Sequence, residues 1–108
     1  MRIPVSFMLF GEKITVERCE ALLEKDSCVG QALYRKNAIE LQTNTPSVLR
    51  PSTHIEVTFL HELLHWIFYV LEEHELKENE KLVDTMARLL HQAISTAEYA
   101  EENPDATI

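Results

Sequence analysis

No stretch of this sequence stays apolar for the roughly 20 residues that a membrane-spanning helix needs. The apolar run from Ile3 to Phe10 is short, lacks a small-residue exit and passes straight into Gly11-Glu12-Lys13. It therefore reads as a strand and not as a signal peptide. Cysteine is scarce as well: Cys19 and Cys28 are too few for a disulfide framework, and their spacing is not the CxxC of a zinc ribbon or redox site. They fit two reduced thiols, which makes a cytoplasmic location the expectation. Positive charge is short too, with 10 Lys and Arg against 18 Asp and Glu and a formal net charge of −8. A nucleic-acid-binding face is normally basic, so DNA and RNA are disfavoured as partners. The acidic surplus reads as a solvated surface. Repeats and low-complexity tracts are missing. What is there is 108 residues with a hydrophobic share of 45%, enough for one modest core and one domain.

The first half reads as strands. Residues 3–10 and 13–19 form two around a turn at Gly11-Glu12, with Ile14 and Val16 alternating with Thr15 and Glu17. A short helix over 16–24 competes, because Cys19, Leu22 and Leu23 have helical spacing. Residues 20–30 read as a connection. Ala32 to Arg35 and Ala38 to Gln42 flank Lys36-Asn37 in the pattern of a hairpin. Ile39 and Leu41 alternate with Glu40 and Gln42, as in a strand with one exposed face. Thr43 through Pro51 is a loop.

Thr53, with Glu56 three residues on, has the form of a capping box. A long helix is expected from about 54 to about 73. A second helix carries Leu82, Val83, Met86, Leu89, Leu90 and Ile94 on its apolar side and should end near Ala100, before Pro104. No Gly or Pro separates the two, yet one continuous rod would leave its apolar stripe uncovered, so the chain should fold back on itself. The expected architecture is α+β in a single domain: a small antiparallel or mixed sheet of three to four strands (1–51) packed on two long helices (52–75 and 76–102).

His61-Glu62-Leu63-Leu64-His65 lies in the first of these helices. Residues four apart share a helix face, so His61 and His65 point at one spot where both imidazoles can bind one metal ion. Glu62 sits beside that face, placed to hold water rather than to ligate. This is the HExxH pattern of zinc hydrolases, with Glu62 as general base. The neighbours Leu64, Trp66 and Phe68 read as core. A catalytic zinc normally has three protein ligands. Glu72 shares the face of the histidines but lies roughly 10 Å along the axis from His65 at 1.5 Å per residue, too far to return. In the spacing HExxHxxGxxH, Phe68 and Leu71 stand where Gly and His belong. The third ligand must come from the second helix. There Glu80, Asp84, Ala87 and His91 fall on one face, which selects Glu80, with Asp84 one turn on as a hydrogen-bond partner for a ligand histidine.

His61-Glu62-Leu63-Leu64-His65 followed by Asn79-Glu80-Lys81-Leu82-Val83-Asp84 resembles the HExxH and NExxxD pair of gluzincin metallopeptidases, the thermolysin-type clan. The likeness covers residues 30–95 in order but about eight positions in identity. With a shorter gap between motifs and no lower subdomain, the chain looks most like the minimal gluzincins and small ImmA/IrrE-type or phage-encoded HExxH proteins. The resemblance implies one Zn2+ per chain on His61, His65 and Glu80, and Asp84 supporting a histidine. It also implies a peptide or protein substrate added as a strand to the sheet edge, at Leu33 to Arg35 or Ile39 to Gln42. Thermolysin-type enzymes take an oxyanion donor from the part missing here, which leaves Tyr34, Tyr69 and His91 as candidates. Two other functions compete with a zinc peptidase. One is a non-catalytic binding or regulatory module, acidic and tied together by zinc. The other is a metal-free core helix in which both histidines are partly buried polar residues. Substrate specificity and oligomeric state lie beyond the sequence.

Overall fold

A computed structural model describes residues 1–101. The fold is α+β, a four-stranded mixed sheet with four helices, two of them long. Strands β1 (Ser6–Leu9) and β2 (Glu12–Cys19) pair antiparallel around Phe10 and Gly11, both at positive φ. Strands β3 (Gly30–Leu33) and β4 (Ala38–Gln42) form the second antiparallel pair. The two pairs join through a parallel β2·β4 contact, so the order is β1-β2-β4-β3 and β3 is an edge.

Three expectations for this half need correction. Residues 20–30 are not only a connection: the strand holds through Cys19, so the competing helix over 16–24 does not form, and a short α1 (Leu22–Asp26) follows it. The β3–β4 turn is longer than Lys36-Asn37: Tyr34–Lys36 make one 3₁₀ turn and Asn37 takes φ 49°, so Tyr34 and Arg35 are not strand. Strand β4 has no exposed face, with Ala38, Ile39, Leu41 and Gln42 all buried. Gln42 tolerates this because its side chain is fully used. It accepts from the Leu23 backbone N–H (2.7 Å) and donates to the carbonyls of Glu20 (2.6 Å) and Thr43 (2.9 Å), fastening α1 to the sheet.

Helix α2 (Ser52–Val70) lies on the sheet and carries much of the core: Ile55, Phe59, Leu60, Leu64, Trp66 and Phe68 meet Ile14, Ile39 and Leu41. Trp66 Nε1 donates to the Ala38 carbonyl at 3.0 Å, so its polar edge is satisfied inside the core. The chain leaves α2 through Glu72 at φ 58° and makes a short α3 (His74–Glu78). It then enters α4 (Glu80–Thr96) through Asn79, whose side chain accepts from the Leu82 N–H at 3.0 Å. Helix α4 doubles back on α2 and seats Val83 and Ala87 with no exposure. Its apolar side is narrower than expected: Leu89, Leu90 and Ile94 are exposed. It ends at Thr96, and Pro104 lies outside the described residues. No helix among the described residues is long and apolar enough to cross a membrane.

The capping box at Thr53 does not form. Pro51 precedes α2, no side chain caps it, and Glu56 is used elsewhere. Its Oε1 accepts from the Met1 ammonium (3.0 Å) and lies 2.7 Å from His91 Nε2, tying α4 to α2. These bonds hold the Glu56 carboxyl below its usual range, the His91 hydrogen bond being the larger cause. A lowered carboxyl pKa adds stability that is present above the unfolded value and is lost as pH falls through the folded one. Glu56→Gln is therefore expected to cost about 1–3 kcal/mol near neutral pH, with the difference from wild type shrinking below about pH 4.5. Urea denaturation across pH measures both.

Candidate metal centre

Helix α2 presents His61 and His65 one turn apart on the side that faces α4, and the fold-back at Asn79 brings the first residue of α4 over them. His61 Nε2 and His65 Nε2 are 3.1 Å apart. Glu80 Oε2 lies 3.0 Å from His61 Nε2, and Glu80 Oε1 lies 3.1 Å from His65 Nε2. Two lone-pair-bearing imidazole nitrogens and a carboxylate converge on one point, and together they could hold a metal ion. Burial holds His65 below its ordinary pKa, an effect that the Glu80 charge opposes, and a lowered pKa favours the neutral ring that metal ligation requires.

Asp84 stands 3.8 Å from His61 Nδ1, the nitrogen turned away from Glu80, and is itself fixed by Arg88 Nε at 2.9 Å. It is thus near the outer edge of the histidine without a short hydrogen bond to it. Glu62 does not join the cluster. Its side chain is buried between α2 and β3, and burial, then the Glu80 charge, pushes the carboxyl up to about 7.

The cluster opens into a cleft of about 860 Å3 whose walls include Glu62, Tyr34, Lys77, Arg50 and the β3 edge. Tyr34 stacks on Tyr69 with centroids 4.2 Å apart and meets the edge of Trp66. Lys77 Nζ covers both tyrosine rings at 5.1 and 5.5 Å. Burial first, then Glu62, push the Tyr34 phenol up to about 12, so it stays a donor. The other two candidate donors are placed differently. Tyr69 supports Tyr34 from behind and does not line the cleft. His91 is three turns along α4 from Glu80, held by Glu56 and 3.2 Å from Ser95 Oγ, and it is not part of the cleft.

Sequence reasoning missed two wall residues. Gly30 opens β3 where the strand passes close to α2: a Cβ there would lie 2.5 Å from Thr58 Cγ2 and 3.3 Å from the Glu62 carboxylate. A Gly beginning a strand is the signal for such an approach. Gly30→Ala is expected to cost about 1–3 kcal/mol by overpacking, read as a lower midpoint in urea. The other is Arg50, at the end of the loop before α2, whose Nη2 donates to Thr58 Oγ1 at 2.8 Å. Its role depends on a contact eight residues away and has no local signal. Comparison with family models, curated proteins and solved structures gives no match.

Proposed function

We propose that this protein is a small zinc-dependent peptidase of the gluzincin type, acting on peptides or proteins in the cytoplasm. The observation that carries this is the convergence of His61, His65 and Glu80 with Glu62 buried beside them. Donors about 2.0–2.2 Å from a tetrahedral zinc stand roughly 3.3–3.5 Å apart, so the spacings of 3.0–3.1 Å need only a small opening. Two imidazoles and one carboxylate are a donor set suited to catalytic zinc. A zinc ion held there would polarise a peptide carbonyl and make nearby water acidic.

The remaining work falls to the chain. Glu62 takes a proton from water and delivers it to the leaving amine. The free edge of β3 holds an extended peptide across the cleft by main-chain hydrogen bonds. Strand β4 cannot serve, being paired on both sides. Tyr34, protonated through neutral pH, is the donor for the carbonyl oxygen as it gains charge. The competing role, a zinc clip between helices in a binding module, is less favoured because Val83 and Ala87 already pack α4 on α2 without any ion. The test is a peptide library incubated with zinc-loaded protein and read by mass spectrometry. Cleavage that stops on chelation and returns with zinc supports the proposal. A library left intact with zinc bound overturns it.

A further inference from the structure

We propose that Arg50 sets substrate preference by pairing with a carboxylate of the bound peptide just C-terminal to the scissile bond, an inference that rests on the peptidase function above. Arg50 lines the cleft and is half-buried. Among the described residues no carboxylate lies within ion-pair distance of it. Its Nη2 is anchored to Thr58 Oγ1 and, at 3.4 Å, to the His54 carbonyl, while Nη1 is buried with no hydrogen-bond partner. Partial burial pulls its pKa below the ordinary value. Asp26 and Glu40 both accept from Gln31 Nε2, at 3.3 and 2.7 Å. Glu62 lines the same cleft and serves the proposed reaction as the base that accepts a proton from water. A partly buried guanidinium with one nitrogen left without a partner costs stability, and its planar fork matches a carboxylate. A carboxylate entering the cleft would draw Nη1 from its buried position by rotation about the Nη2 anchor.

Position and direction specify which carboxylate. Thr58 precedes His61 by three residues, roughly 4.5 Å along the helix axis. An extended chain advances about 3.3 Å per residue, so the partner lies one or two residues from the bond being cut. Strand β3 starts at Gly30 beside Thr58 and Glu62 and leads to Tyr34 beside Trp66 and Tyr69. A peptide paired antiparallel to it points its C-terminal end at Arg50. The carboxylate is then an Asp or Glu side chain following the scissile bond, or the C-terminus of the peptide itself.

The test uses zinc-loaded Glu62→Gln protein, which binds without turnover, and fluorescent libraries of short peptides in three forms. One form ends in a carboxamide and carries Asn, a second replaces that Asn with Asp, and a third keeps Asn with a free C-terminus. At least one carboxylate form should bind about tenfold tighter or more than the neutral form, and which one does so identifies the source. The preference should disappear in the additional variant Arg50→Gln and persist in part in Arg50→Lys. Equal binding of all three forms before Arg50 is changed overturns the inference and leaves the peptide site standing. Binding of none, with zinc present, overturns both.

Discussion

Glu62→Gln is expected to lower peptide hydrolysis by roughly 10²–10⁴-fold while the zinc content of the protein stays unchanged. The two side chains have nearly the same shape, and the site around Glu62 is tight, with Thr58 on its own helix and the backbone of Gly30 across from it. The amide fits that space but cannot take a proton. Zinc is retained because the converging donors come from His61, His65 and Glu80, and Glu62 is not among them. Single-turnover hydrolysis and elemental analysis on one preparation separate the two quantities. If zinc were lost along with activity, Glu62 would be holding the ion and could not be the base.

Glu80→Ala should abolish tight zinc binding and leave the fold. Its carboxylate closes the cluster at 3.0 and 3.1 Å from the two histidines. Without it, two ligands remain, and the loss of affinity should exceed the roughly 10–100-fold that removal of a supporting partner costs. Asp84→Asn belongs to that smaller class, because Asp84 lies 3.8 Å from His61 Nδ1 and touches no ligand atom more closely. The fold survives because the Glu80 side chain is 66% exposed and buries little, whereas Val83 and Ala87 behind it are fully packed. Competition with a chromophoric chelator, alongside a thermal melt, reads both effects. Unfolding of wild-type protein on chelation would instead mark the ion as a structural clip.

These residues differ in how visible they are in a bare sequence, and the reason is physical. The helical repeat fixes which side chains share a face, so the histidine pair, Glu62 and the step from Glu80 to Asp84 can be read from spacing. The same rule places His91 on the Glu80 face, but three turns of helix carry it away to Glu56. Contacts between distant segments leave no such trace. Glu56 looks like half of a capping box, yet its carboxylate is drawn off by His91 and the chain's own ammonium. Gln42 looks like a solvent-facing residue, because alternation cannot reveal that α1 covers the second face of β4. The parallel pairing of β2 with β4 depends on a crossover through α1 and β3, and no residue pattern announces it. The break at Asn79 was legible in principle: an Asn followed by Glu-Lys-Leu is a helix start even without Gly or Pro.

An anomalous diffraction map from crystals of the zinc-loaded protein, collected at the zinc edge, addresses the centre of the account. One peak per chain is expected, within about 2.0–2.2 Å of His61 Nε2, His65 Nε2 and a Glu80 oxygen. A peak elsewhere, or one at the histidines with Glu80 turned to solvent, would contradict it.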